Sequence, residues 1–339
     1  MKILITGGAG YIGSHTIIEI LQNTNWEVVS IDDYSNSSAD TYDRIERITG
    51  KRIVFYNVDL KDLKSTKKVF EENKGIVGII HFAAHKAVGE SVEQPLKYYD
   101  NNIVGLNNIL KCQAMFKVPN IIFSSSCSVY GNVEELPVTE SSKLSRAESP
   151  YAYTKQIGEV VLDDFIKVNK NFKAISLRYF NPVGAHITGL NGELSTTSPN
   201  NLVPFITQTA IGKLNKLTVF GSDYETRDGT CVRDYIHVSD IANAHVLALA
   251  SLVENKMEQK HDIINLGTGI GVTVLEAIKA FEKVSGSDLN YEIGQRREGD
   301  VAAIYANNEK ARTVLGWLPK YNLEDMMLSA WKWEQYIKD

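Results

Sequence analysis

The segment Thr6-Gly7-Gly8-Ala9-Gly10-Tyr11-Ile12-Gly13 constrains the fold of this chain more than any other. It follows a short β-branched-rich apolar run, Lys2 to Thr6, and leads into an amphipathic stretch, Ile12 to Gln22. Read from Gly7 it fits G-x-x-G-x-x-G, and read from Gly8 it fits G-x-G-x-x-G. Glycines are required where a chain turns tightly from strand to helix and its backbone must approach a pyrophosphate resting on the helix N-terminus. Glycine strings also occur in plain turns, so the flanking strand and helix are what give the motif its meaning.

The same alternation continues. Apolar runs at Glu27 to Ile31, Ile53 to Asn57, Ile76 to Phe82, Asn120 to Ser125 and Lys173 to Arg178 read as buried parallel strands. Leu63 to Glu72, Pro95 to Phe116 and Tyr151 to Asn169 read as the helices between them. Repeated β-then-α order implies right-handed crossovers and a Rossmann-type doubly wound parallel sheet. After Asn181 a polar stretch rich in glycine and proline breaks the rhythm, ahead of a helix from Leu202 to Gly212. Val238 to Leu252 then reads as a helix and Asp262 to Leu266 as a further strand, so the chain is expected to return to the first sheet before helices from Thr273 and Asn322. The expected division is 1–181 with 233–266 for the dinucleotide-binding domain, and 182–232 with 267–339 for a smaller α/β substrate domain.

Asp32 ends the second strand about 20 residues after the last glycine, where a carboxylate accepts hydrogen bonds from an adenosine ribose. Its charge would repel a 2′-phosphate, which favours NAD over NADP. Tyr151 and Lys155 stand four apart at the start of a helix and share a face. A phenol acting as base near neutrality needs its pKa lowered by about 3 units, or about 4 kcal/mol. A neighbouring ammonium and a cationic nicotinamide can supply that field. Tyr153 lacks such a partner, since Ile157 stands four residues on. Ser124-Ser125-Ser126 ends a strand at the carboxyl edge of the sheet, where ligands of open α/β folds gather, and Ser126 is the candidate for sharing a substrate hydroxyl proton.

Composition narrows the partners. A formal net charge of -5 leaves no basic excess to neutralise a run of phosphates, so nucleic acid is not expected. No membrane span and no export signal are expected, because the chain has neither a long apolar run nor a charged-then-apolar start. Three widely spaced cysteines, Cys112, Cys127 and Cys231, form no C-x-x-C pair and fit a reducing cytoplasm without disulfides or structural zinc. His81 and His85 have metal-ligand spacing but straddle a strand end and a loop, so no metal is expected; Cys127 lacks an assignable histidine and reads as a small buried residue.

Taken together, the glycine loop, Asp32, the serine run and Tyr151 with Lys155 resemble the extended short-chain dehydrogenase/reductase family. Within it, His81 to Ser91, Tyr98 to Asn102, Arg178 to His186, Pro199 to Leu202, Val232 to His237 and Arg296 to Asp300 are similar to the branch that epimerises UDP-glucose and UDP-galactose at carbon 4. The resemblance implies tightly held NAD in contact with Gly7, Gly10, Tyr11, Ile12, Gly13, Asp32, Asn36, Asp59, Phe82, Ala83, Lys86, Asn101, Ser124, Tyr151, Lys155 and Tyr179. It implies that Lys86, Ser126, Tyr151, Asn181, Asn201, Leu202, Thr218, Phe220, Arg233, Tyr235, Arg297, Asp300 and Ile304 meet a UDP-hexose. Arginines suit that task through forked hydrogen bonds to phosphate, although Arg233 and Arg297 can also be read as surface ion pairs. The implied roles are Tyr151 as base at the sugar 4-hydroxyl, Lys155 in lowering its pKa and holding the nicotinamide ribose, and Ser126 as hydrogen-bond partner. Ile304 falls, by resemblance, beside carbon 2 of the sugar; burial in the core is its alternative. Related dehydratases place an acidic pair where Cys127 and Ser128 stand, and a silent NAD sensor would not need the Ser126, Tyr151 and Lys155 set. A homodimer through a helix pair is also implied.

Overall fold

The computed structural model describes residues 1–133, 135–194, 199, 201–297 and 300–338. Its centre is a seven-stranded parallel sheet. The strands are β1 (Lys2–Thr6), β2 (Glu27–Asp32), β3 (Val54–Asn57), β4 (Ile76–His81), β5 (Asn120–Ser126), β6 (Lys173–Tyr179) and a last strand, His261–Leu266. From one edge the order is His261–Leu266, β6, β5, β4, β1, β2, β3. The order reverses at β1 and β4, and the glycine loop leaves the carboxyl end of β1 at that switch point.

Each inner strand is apolar on both sides because helices cover both. Ile3 and Ile5 of β1 face one layer, with Ile80, Ile122 and Ile175; Leu4 faces the other, with Ile79, Ile121 and Ala174. On the first face lie helix α1 (Tyr11–Asn23) and the helix Val238–Val253; on the second lie Leu63–Glu72, Gly105–Phe116 and Pro150–Val168. The helix Val238–Val253 carries the chain back to the first sheet before the last strand.

The expected continuous helix from Pro95 to Phe116 is interrupted. Pro95–Tyr98 is α-helical, Tyr99–Val104 is a π-helical turn, and α-helix resumes at Gly105–Phe116. The wide turn brings Asn102 inward, where its carboxamide oxygen accepts from the His85 amide (2.8 Å) and its nitrogen donates to the His85 carbonyl (3.1 Å) and to Thr154 Oγ1 (3.0 Å). Wide turns of this kind recur beside functional sites.

Beyond the sheet, Asn181–Val183 pairs with Tyr235–His237, Leu217–Phe220 with Tyr291–Gly294, and Val232–Arg233 with both Val272–Thr273 and Ala303–Ile304. A separate apolar cluster under them joins Val203, Ile206, Leu217, Val219, Phe281, Met326 and Met327. Asp234 fastens three loops together: its Oδ1 accepts from the Thr268 amide (2.8 Å) and hydroxyl (2.6 Å), and its Oδ2 from the amides of Gly269 and Ala306, both at 3.1 Å.

Candidate active site

The glycine loop is held tightly from three sides. Gly7 lies at φ +70, and a Cβ there would come within 2.7 Å of the Ala83 amide nitrogen. This close approach seats the loop against Phe82 and Ala83, whose amides donate to the Thr6 carbonyl and hydroxyl at 3.0 and 3.3 Å. A Cβ on Gly13 would lie 2.1 Å from the Gly7 carbonyl oxygen. Helix α1 begins at Tyr11 without a side-chain cap and without an acid in its first turn, so its leading amides and dipole are open to an anion.

Asp32 is buried at the end of β2. One carboxylate oxygen accepts from the Ala9 amide (2.9 Å) inside the glycine loop; the other accepts from the Tyr34 amide (3.0 Å) and the Ser37 hydroxyl (2.7 Å). Desolvation raises its pKa, and these three hydrogen bonds work against the rise. A carboxylate offers about four acceptor positions, so capacity remains for a ribose hydroxyl. Asn36 lies in the turn beside Ser37, and Asp59 follows β3, accepting from the Lys61 amide at 2.8 Å. Ile12 packs against the core beneath the loop. The cradle, the open helix end and the carboxylate together fit NAD.

Ser126, Tyr151 and Lys155 meet at the carboxyl end of β5. The helix that carries the last two is well started: Ser149 Oγ accepts from the Ala152 amide (3.2 Å) and Pro150 occupies its first turn. Lys155 is 4% exposed, and its Nζ donates to the Ser124 carbonyl (2.6 Å), 5.9 Å from the centre of the Tyr151 ring. Burial pulls Lys155 down to about 7, with Glu159 opposing. Tyr151 moves the other way. Burial raises its phenol well above the ordinary value and Tyr179 adds to the rise, while a hydrogen bond with Ser126 lowers it. The expected field came from the ammonium together with a cationic nicotinamide; within the protein itself the ammonium is directed at the Ser124 carbonyl and desolvation dominates at Tyr151. Tyr179 hydrogen-bonds the Ser124 hydroxyl, which completes the floor of the site. Tyr153, by contrast, is 48% exposed on the outside of the helix.

The residues expected to hold a sugar nucleotide fall into two groups. Arg233 and Arg297 converge on Asp300, with Arg297 Nη2 and Nε at 2.8 and 3.2 Å and Arg233 Nη2 at 3.4 Å from its oxygens. Their pairing is thus real, but it gathers two guanidinium groups at one place instead of scattering them over the surface. Arg233 is anchored further by the Val232 and Val301 carbonyls (2.9 and 2.8 Å). Phe220 lies half-exposed under Arg297, its ring centre 5.8 Å from the guanidinium carbon, and Thr218 shares its strand. Asn181 and buried Tyr235 face each other in register. In the second group, Lys86 Nζ and Asn201 Nδ2 both donate to Glu193 Oε1, at 2.6 and 3.2 Å, just before Leu202 opens its helix. Lys86 also stands 5.8 Å from the centre of the Tyr11 ring, whose hydroxyl donates to the Gly184 carbonyl (2.6 Å). Asn101 donates to Asn102. Ile304, opposite Arg233 in its ladder, is 6% exposed and sits in an apolar cluster with Val129, Phe180 and Cys127. Asn200, Glu298 and Gly299, parts of the matching motifs, lie outside the described residues.

Sequence reasoning passed over Glu193, Asn102 and Glu159. Glu193 bridges residues 86 and 201, and no local spacing marks it. His81 is buried, bonded through Nδ1 to Thr6 Oγ1 (2.8 Å), and depressed to about 3 by desolvation, so it serves the sheet edge as a neutral ring. The three cysteines are free, and burial pushes Cys127 up to about 12, unsuited to nucleophilic work. Among the described residues no group of histidine, cysteine and acids could hold a metal ion, and no helix is long and apolar enough to cross a membrane.

Comparison with known proteins agrees with this geometry. The family model described as GDP-mannose 4,6 dehydratase matches residues 4–329. The UDP-glucose 4-epimerase of Bacillus subtilis (strain 168) is 49% identical over 336 residues, covering 98% of this chain and 97% of that protein. The chain belongs to the UDP-glucose 4-epimerase family. Two solved UDP-glucose 4-epimerases superpose closely. That of Stenotrophomonas maltophila, with bound NAD and formylated UDP-arabinopyranose, is 44% identical with a TM-score of 0.96, covering 100% of this chain and 99% of its own. That of Bifidobacterium longum, in complex with NAD+ and UDP, is 44% identical with a TM-score of 0.93, covering 99% and 98%. The match to a model named for dehydratases reflects the shared extended short-chain dehydrogenase/reductase fold; Cys127 and Ser128, next to Ser126, offer no carboxylate for eliminating water.

Proposed function

We propose that this protein is an NAD-dependent UDP-glucose 4-epimerase, interconverting UDP-galactose and UDP-glucose through a 4-keto sugar. The observation that carries the reading is the meeting of Ser126, Tyr151 and Lys155 at a sheet edge where the adjoining Cys127 and Ser128 bring no acid. NAD, when bound, supplies the acceptor and donor of the carbon 4 hydride and a positive charge beside the phenol. Gly7, Gly10 and Gly13 let it approach α1, and Asp32 holds its ribose. Tyr151 takes the proton of the sugar 4-hydroxyl and returns it, and because carbon 4 gives up a hydride and regains one the reaction is redox-neutral. Ser126 keeps that hydroxyl in line. Arg233 and Arg297 hold the diphosphate, with Asp300 aligning them and Phe220 and Leu202 flanking the uracil. Anchoring through UDP leaves the sugar able to present either face, which is the economy expected when binding energy is drawn from a non-reacting part of the substrate.

The reading extends to assembly and location. Val92 and Leu96, at 60% and 74% exposure, and Tyr153 and Val160, at 48% and 60%, form an apolar surface on neighbouring helices; a second copy of the chain is the proposed occupant. The free cysteines suit the cytoplasm. Purified protein given UDP-galactose should produce UDP-glucose without added NAD; release of water in place of an epimer, or no turnover, overturns the assignment. Light scattering should give twice the chain mass, falling to one on Leu96→Glu with Val160→Glu.

A further inference from the structure

The three serines that end β5 serve different partners. Ser124 receives Lys155 through its carbonyl, Ser126 faces Tyr151, and the Ser125 hydroxyl between them donates to Glu159 Oε1 at 2.6 Å. Glu159 lies one turn beyond Lys155 on the same helix face. Arg178 of β6 grips it with two parallel bonds, Nε to Oε1 at 2.9 Å and Nη2 to Oε2 at 2.6 Å. The side chains of this pair are 3% and 6% exposed. The third branch of Arg178 donates to the Tyr130 hydroxyl (3.1 Å), which donates to Asn265 Oδ1 (2.6 Å) on the last strand. The network therefore runs from the catalytic helix across the sheet edge.

Such a pair is weak support for stability in itself, because apolar residues of the same volume often serve a core equally well. Its place suggests another use. Lys155 is faced by Tyr151 and Glu159 on its own helix, by His81 at the end of β4 and by Phe123 and Ser124 on β5, while Tyr179 of β6 and Tyr98 border Tyr151 and the Ser124 hydroxyl. His81 is neutral and Tyr151, Tyr179 and Tyr98 are uncharged phenols in the folded protein. Glu159 is the acid that acts on Lys155.

We infer that Glu159, fixed by Arg178 and Ser125, is a positioning residue that keeps buried Lys155 charged and directed at Ser124. The inference rests on the function proposed above, since a charged Lys155 matters there as the protein's own contribution to stabilising the Tyr151 phenolate. A lysine without its counter-charge in this site gives up its proton at lower pH, and the phenol then loses that help.

The test is the pH profile of kcat and of KM for UDP-galactose in the wild type, Glu159→Gln, Glu159→Asp and the double variant Glu159→Gln/Arg178→Gln. Removing one charge about a helical turn away should move the alkaline limb of kcat down by roughly one to two pH units. At a pH on that limb the loss is roughly tenfold or more. KM should change little, because the Arg233, Arg297 and Asp300 group is untouched. Glu159→Asp, which keeps the charge, should recover most of the profile. The double variant removes a negative and a positive charge together, so its limb should lie between those of the wild type and Glu159→Gln. A folded Glu159→Gln variant with the wild-type limb overturns the inference, as does unfolding of both Gln variants, which would make the pair structural. A wild type inert toward UDP-galactose would instead overturn the proposed function.

Discussion

Adding one methyl group at Gly13 tests the dinucleotide cradle most directly. In Gly13→Ala the new carbon would lie 2.1 Å from the Gly7 carbonyl oxygen, 2.9 Å from Gly8 Cα and 3.0 Å from the Gly7 carbonyl carbon. Carbon and oxygen settle at about 3.3 Å or more, so the loop or the helix must retreat by roughly an ångström. All three obstacles are backbone, and no rotamer change relieves them. The loop cannot simply slide back either. The Gly7 amide donates to Ile31 (2.8 Å), Ala9 donates to Asp32 (2.9 Å), and Gly7 already touches the Phe82 and Ala83 backbone. Overpacking of this kind costs about 1 to 3 kcal/mol, and the rigid surroundings argue for the upper end. Taken from cofactor affinity, about 3 kcal/mol is a loss of roughly a hundredfold. Acid release followed by chromatography should find NAD plus NADH near one per chain in the wild type and well below that in Gly13→Ala, while UDP binding by calorimetry persists. Gly89→Ala is the control: its Cβ would meet nothing within 4 Å, in a helix where alanine is the better residue. Full NAD content in Gly13→Ala would refute the argument that this backbone contact shapes the cradle.

Tyr151→Phe should lower turnover of UDP-galactose by at least about 10² to 10⁴-fold with UDP binding kept, and Tyr153→Phe should stay near wild type; the reverse pattern in steady-state assays rejects the choice of base. Burial depresses His15, His81 and His237 to about 3 and His245 to about 4, so the unfolded chain binds the extra protons as pH falls below about 6.5. Their stability contribution is complete above that pH and drains away down to pH 3 to 4, at about 1.4 kcal/mol per pH unit for each ring, so Tm should already fall between pH 6.5 and 5; a flat Tm there contradicts the buried neutral histidines. If Ile304 reaches toward the sugar from its cluster beside Cys127, UDP-galactose should be preferred over UDP-N-acetylgalactosamine by roughly 10 to 200-fold. Ile304→Cys should bring the ratio of specificity constants toward one and Ile304→Tyr should raise it, whereas no change in either variant means the side chain serves only the core.

What could be read in advance were features written locally. The start of the helix Leu63–Glu72 was legible because Asp62 caps it, accepting from the amides of Lys64 and Ser65. The helix of Tyr151 and Lys155 carried the equally local signal Ser149-Pro150. The inner strands of the main sheet were legible because both their faces are covered and they become unbroken apolar runs, whereas β3, expected to be buried as well, lies at the sheet edge and leaves Val54 and Phe55 half-exposed. The pairing of Val232–Arg233 with its two neighbours was not, since a strand of two residues has no period to detect. The π-helical turn escaped because Pro95 to Phe116 keeps a helix-like pattern, and only the distant partners of Asn102, at positions 85 and 154, explain the widened turn. Glu193 and the Glu159 and Arg178 pair escaped for the same reason: a buried or bridging charge is defined by what the fold brings to it, and Lys86 approaches Glu193 from the far side of the chain.

The order in which the sheet is assembled has a consequence for synthesis. β6 ends at Tyr179, yet the strand that covers its outer edge begins only at His261. A growing polypeptide that has emerged only through Tyr179 holds the nucleotide cradle and the catalytic helix but presents a bare row of amides and carbonyls, in a strand as apolar as Ala174 to Leu177. Closing a loop that long costs little more entropy than closing a shorter one, but the partner must first be made. Until then the half-built sheet is open to strand addition from a neighbour, so truncated products ending before His261 should aggregate, and the completed edge is what keeps the finished enzyme's sheet to itself.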